Sequence, residues 1–75
     1  MRTITITTYA SMPNRFKVWH SAPGQRSFGR DAAGGAGEAA AIAMEYAMVS
    51  GGPYVILGHS EAVNMIPAEL RFKSS

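Results

Sequence analysis

The segment from Glu38 to Leu57, EAAAIAMEYAMVSGGPYVIL, constrains the fold more than any other part of the chain. Its first twelve residues are dominated by alanine, methionine and glutamate, which are strong helix formers. Gly51-Gly52 stops the helix and Pro53 forbids its continuation. The apolar run Tyr54 to Leu57 follows at once and reads as a strand buried on at least one face. A helix delivered directly into a buried strand must lay its apolar side on the sheet. At about 100° per residue, Ala36, Ala40, Ala43, Met44 and Ala47 fall on one side of that helix. Their side chains are small, so the helix can lie close to its neighbour. Glu38 and Glu45 mark the solvent side.

The preceding residues supply more strands. Thr3 to Tyr9 alternates apolar and polar side chains and is rich in β-branched residues, with Ile4 and Ile6 on one face. Ser11-Met12-Pro13-Asn14 reads as a turn. Arg15 to His20 alternates again, with Phe16 and Val18 on one face and Lys17 and Trp19 on the other. Ala22-Pro23-Gly24 is the next turn, and Gln25 to Arg30 is a short third strand. Connections this short favour an antiparallel meander. The stretch Ala32 to Ala36 is a glycine-rich lead-in, so the regular helix is expected from about Gly37. Beyond the fourth strand, Gly58-His59-Ser60 is a turn. Val63 and Met65 alternate with Asn64, which favours a strand over a short helical turn for Ala62 to Ile66. Leu70 and Phe72 alternate with Arg71 and Lys73 into a short edge.

The resulting fold class is α+β: a single domain over residues 1–75, in the order β-β-β-α-β followed by a short strand or turn, with an antiparallel sheet against one alanine-rich helix. The expected core is Ile4, Ile6, Phe16, Val18, Phe28, Ala40, Ala43, Ala47, Val55, Leu57, Val63 and Leu70. A chain of 75 residues buries only about 60% of its unfolded surface. With no cysteine, no disulfide or thiolate zinc site can reinforce it. A homodimer is one way such a domain gains stability. No stretch approaches the ~20 apolar residues that span a membrane, and the N-terminal residues lack the apolar core of a signal peptide.

Reaction chemistry finds little support. His20 and His59 lie in different segments and neither has a partner at metal-ligand spacing, so no catalytic residue, metal or cofactor is expected. Both histidines read as exposed turn or strand-end residues. The serines lack a GxSxG context. Gly-Gly-Ala-Gly before the helix has no GxxxxGK[ST] pattern and no lysine nearby, so it reads as a connection and not a phosphate loop.

Charge narrows the partner. Seven basic and five acidic residues leave a net charge of +2. That excess is too small to demand nucleic acid, and the acids are too few for a DNA mimic. Three strands followed by a helix are shared with part of the double-stranded RNA-binding domain. The helix start here carries Asp31 and Glu38 where that family has lysines, which removes the phosphate contacts that dominate affinity. Direct nucleic-acid binding is therefore not expected. The contact candidates are Arg15, Lys17, Trp19, Arg26 and Arg30, which can form a basic face around one aromatic. Arg and Trp are the residue types that most often anchor interfaces. Ile42 and Val49 are a second pair, apolar residues on the same helical stripe as Glu38 and Glu45.

Three segments in order resemble one known family. They are the AAA-x-AM-x-x-AM pattern of Ala39 to Met48, YVILG at Tyr54 to Gly58, and IP-x-x-LR at Ile66 to Arg71. This half of the chain resembles a phage-encoded anti-CRISPR family, the fifth described against type I-F systems. Before Gly37 the likeness is looser. Ile42 departs from the longer polar side chain of the family, and the connection after the helix is shorter. The resemblance implies an inhibitor working in the bacterial host cytoplasm. It would bind protein subunits of a type I CRISPR surveillance complex and block recruitment of the nuclease-helicase to the DNA-bound complex. A small nucleic-acid-binding or regulatory module of phage or mobile-element origin is the alternative; an enzyme is a distant third.

Overall fold

The computed structural model describes residues 1–49 and 51–74. Five strands form one sheet: β1 (Arg2–Tyr9), β2 (Met12–Ser21), β3 (Phe28–Ala32), β4 (Tyr54–Gly58) and β5 (Phe72–Lys73), in the spatial order β3-β2-β1-β4-β5. The Thr/Ile alternation of β1 suits a pleated strand that is buried on one side only. β1, β2 and β3 form the antiparallel meander, with Ile6 opposite Val18 and Val18 opposite Arg30. β5 is antiparallel to β4, whereas β4 lies parallel to β1, with Ile4 opposite Ile56. A parallel neighbour requires a crossover. The long helix α1 (Ala36–Val49) makes it, carrying the chain from the β3 edge over β2 and β1 to β4.

α1 covers one face of the sheet. The core between them holds Ile4, Ile6, Phe16, Val18 and Ile56 from the strands and Ala39, Ala40, Ile42, Ala43 and Ala47 from the helix. A short helix α2 (Ser60–Val63) and a 3₁₀ turn (Ala68–Leu70) close the end of this core with Ala62 and Ile66. The Glu38 carboxylate accepts the Gly34 N–H (3.1 Å) in the turn that leads into α1. At the other end, Gly51 and Gly52 take left-handed backbone conformations (φ 63° and 77°), as a helix stop of this kind requires.

That stop is reinforced by Arg2. Its guanidinium is buried beneath the helix end and donates to the carbonyls of Tyr46 (2.9 Å), Ala47 (3.1 Å) and Gly51 (2.6 Å). It also lies over the Tyr54 ring and donates weakly to His20 Nε2 (3.4 Å). A positive charge belongs here, because the last carbonyls of a helix are unpaired and carry its negative dipole end.

Several sequence expectations are corrected. β2 begins at Met12, because the tight turn is Ala10-Ser11; β3 is displaced toward Ala32; and α1 starts one residue early. The segment Ala62 to Ile66 is not a strand. Ala62 and Ile66 are the buried residues there, four apart as on a helix, and the N–H groups of Val63 and Asn64 bond back to His59 and Ser60. β4 is in the opposite phase: Tyr54 and Ile56 face the helix, while Val55 and Leu57 point to the other side. Leu57, Leu70 and Phe28 are exposed and Val63 is only partly buried, so none of them joins the core as expected. His20 is 6% exposed, not a solvent residue. It stacks on Phe28 and meets Tyr46 edge-on.

Candidate functional site

One helix cannot cover both faces of a five-stranded sheet, and the face away from α1 is open. Strand alternation decides what stands on it. β1 contributes Thr3, Thr5 and Thr7; β2 contributes Arg15, Lys17, Trp19 and Ser21; β3 contributes Gly29 and Asp31; β4 and β5 contribute Val55, Leu57 and Phe72. The register orders them into rows: Leu57, Thr5, Trp19 and Gly29 run across four strands, and Phe72, Val55, Thr3 and Ser21 form the adjacent row. Thr7, Lys17 and Asp31 form a third.

The β3 side of the face is built around glycine. A Cβ at Gly29 would come within 2.9 Å of the Trp19 ring and 2.8 Å of the Lys17 stem. The bare backbone therefore lets both side chains lie over β3. The Lys17 ammonium rests 4.4 Å from the Trp19 ring centroid, a cation held by the ring's negative face.

Beside this pair, Tyr9 donates its hydroxyl hydrogen bond to Asp31, and Arg15 forms an ion pair with the same carboxylate (3.2 Å). Arg15 also stands 5.9 Å over the Tyr9 ring. The Tyr9 hydroxyl, more than Arg15, holds the Asp31 carboxyl below its ordinary value, and the same hydrogen bond raises the Tyr9 phenol. Asp31 is thus committed at both oxygens. Lys17 has no carboxylate within ion-pair distance among the described residues. At the opposite end, Leu57 and Phe72 are 49% and 53% exposed, with Val55 paired to Phe72 between them.

The sequence candidates divide over three places. Arg15, Lys17 and Trp19 share the open face. Arg30 does not: it is opposite Val18 on the helix side of the edge strand and pairs with Glu45 (3.2 Å). Arg26 sits in the exposed connection before β3. Ile42 is 4% exposed and belongs to the core, because the buried arc of α1 is turned toward Ala39 and Ile42; its candidacy as a contact residue is withdrawn. Val49 is exposed as expected, next to Met48. Leu57 and Phe72 were missed. Phe72 alternates with the two cations beside it, and that pattern carried the signal. The continuous run around Leu57 carried none.

Among the described residues no group of His, Asp and Glu side chains converges as a metal cluster, and no helix is long and apolar enough to cross a membrane. The three segments that carry the family resemblance serve the fold. Ala39, Ala40, Ala43 and Ala47 pack the core. Gly58 passes so close to β1 that a Cβ there would stand 2.1 Å from the Ile6 carbonyl oxygen. Arg71 donates to the Ile66 carbonyl (2.8 Å), and the Tyr54 hydroxyl donates to that of Leu70 (2.9 Å). Comparison with protein-family models and with curated proteins finds no match to this chain.

Proposed function

We propose that this chain is a binding protein that inhibits a type I CRISPR surveillance complex, the type I-F complex first. It would act in the bacterial host cytoplasm, by occupying a protein surface needed to recruit the nuclease-helicase. The observation that carries the binding reading is the open sheet face. It exposes Leu57 and Phe72, with the half-buried Trp19 and Lys17 alongside, the mixture of aromatic anchor, aliphatic area and cation that interfaces use. The choice of target rests on the resemblance of Ala39–Met48, Tyr54–Gly58 and Ile66–Arg71 to the anti-CRISPR family. Blocking a docking surface needs shape and a few anchors, with no bond made or broken.

Size-exclusion chromatography of the protein with purified type I-F surveillance complex, with and without target DNA, tests this. Co-elution only when DNA is bound fits a block at nuclease recruitment. Co-elution without DNA keeps the inhibitor but moves its step to DNA capture. Absence of co-elution in both states, repeated with type I-C and I-E complexes, refutes the reading.

A second reading draws on the same face. A tryptophan and a lysine lying together on an open sheet also suit the stacking of single-stranded bases. A gel shift of a single-stranded oligonucleotide by the protein alone, weakening steeply with salt, would favour it.

A further inference from the structure

The open face is chemically polar from one side to the other, and this polarity specifies a partner. We propose that it takes a protein surface that is apolar at one end and acidic at the other. The apolar end covers Leu57, Val55 and Phe72, and a carboxylate of the partner meets Lys17. This inference rests on the binding-protein reading above.

Charge complementarity carries the argument. The face has two cations, Arg15 and Lys17, and one carboxylate, Asp31. Arg15 and Tyr9 already hold that carboxylate. Lys17 stands opposite Asp31 and its charge adds to the field that keeps that carboxylate ionised, but among the described residues it forms no ion pair of its own; its ammonium lies over Trp19 at 4.4 Å. Its stem and the indole share the space above Gly29, so the ammonium is positioned before any partner arrives. A preplaced charge loses less entropy on binding than a free one. The apolar end lies across the sheet on β4 and β5. Leu57 is level with Thr5 and Trp19, and Lys17 is two residues further along β2. With strands about 4.8 Å apart and about 3.4 Å per residue, Leu57 and Lys17 are about 12 Å apart at the backbone. Thr5 and Thr7 of β1 lie between them, short side chains that leave the middle of the face flat.

The other occupants fit less well. A second copy of this chain would bring Lys17 and Arg15 to a face with no spare carboxylate. A single-stranded nucleic acid would find one uncommitted cation, against the roughly 6–10 phosphate contacts that give strong, salt-sensitive binding.

The test compares full-length variants for affinity to purified type I-F surveillance complex with target DNA bound, by biolayer interferometry, after circular dichroism has shown that each is folded. Lys17→Glu and Leu57→Asp are each expected to weaken binding by about tenfold or more. Lys17→Arg stays near wild type, and Glu61→Gln on α2, away from the open face, leaves binding unchanged; Val49→Asp probes the competing helix-face candidate. Lys17 stands on the sheet face away from the helix-covered core, so Lys17→Glu alone suffices if Leu57→Asp proves unstable. If the wild type binds and Lys17→Glu binds equally well, the inference is overturned while the inhibitor reading stands. Loss of binding in Val49→Asp instead would overturn it in favour of the helix face. If the wild type binds no complex, the inhibitor reading fails and this inference with it. A single-stranded oligonucleotide of about twenty nucleotides, bound at about 150 mM salt and released by Lys17→Glu, would overturn it in favour of nucleic acid. Light scattering that shows a dimer dissolved by Leu57→Asp would overturn it in favour of a second copy.

Discussion

Replacing Arg2 by methionine keeps an unbranched apolar stem and removes the fork that holds the end of α1. The Ala47 carbonyl is the costliest loss, because Ala47 is 4% exposed and water cannot replace the donor. A buried acceptor left unpaired costs about 1–3 kcal/mol, so about 2 is taken here. The Tyr46 carbonyl is partly accessible, and with the loss of a cation at the helix dipole it adds about 1 kcal/mol. The Gly51 carbonyl is exposed and regains water, so it adds nothing. The expected loss is about 3 kcal/mol, to be set against a total of roughly 4–11 kcal/mol for a chain of this size. At about 4–8 °C per kcal/mol, the melting temperature falls by roughly 12–24 °C. Arg2→Lys recovers only part of this, because a single ammonium cannot serve carbonyls on separate turns as a planar fork does. Urea unfolding followed by far-ultraviolet circular dichroism measures both variants. A loss below about 1 kcal/mol for Arg2→Met, or a wild-type midpoint for Arg2→Lys, would refute the capping role.

Acid should weaken the same region. Burial, helped by the Arg2 charge, holds the His20 imidazole below its ordinary value of 6.5. The unfolded chain therefore takes up this proton more readily than the folded one. The stability His20 contributes is complete above pH 6.5 and is lost as pH falls from there through the depressed folded value. The urea midpoint should drop between about pH 7.5 and about pH 5, and His20→Gln should flatten that drop; an unchanged pH profile in the variant would exclude His20 as its source. Gly58→Ala should cost roughly 3 kcal/mol or more, because φ is +123° and the new Cβ would meet backbone, not a side chain able to move. Gly29→Ala should cost far less, since Trp19 and Lys17 can swing aside. Its mark is a changed emission from the chain's one tryptophan, and an unaltered spectrum would mean that the indole does not lie over β3.

What the sequence revealed depended on whether a segment carried a period. Ile4, Ile6, Phe16 and Val18 alternate cleanly with polar neighbours, and their burial was readable in advance. Arg2 shares their phase, which is a sufficient signal that it points inward, though nothing in the sequence shows the helix end it meets. The β4 run Tyr54 to Leu57 is apolar throughout, so both phases look alike. Parallel pairing with β1 decides between them by setting Ile56 beside Ile4 under the helix. α1 has the opposite difficulty: alanine and methionine lie on most of its circumference, which left Ile42 free to be assigned to the wrong side. Arg30 was grouped with Lys17 by its charge, although it shares the phase of Phe28, which was expected to point inward. The true register puts Gly29 on the open face and Arg30 behind it. The fold was therefore legible through its elements, and the open face only through β2. Its β4 and β5 half depends on a strand pairing that no local pattern encodes.

The chain contains two lysines, and the sheet sets them on opposite sides: Lys17 on the open face, Lys73 opposite buried Tyr54 on the helix side. Amine-reactive labelling of the protein, free and bound to DNA-loaded type I-F surveillance complex, followed by mass spectrometry, reads both positions in one sample. Protection of Lys17 with Lys73 still labelled is the predicted result. Equal labelling of Lys17 in the free and bound protein would contradict docking through the open sheet face.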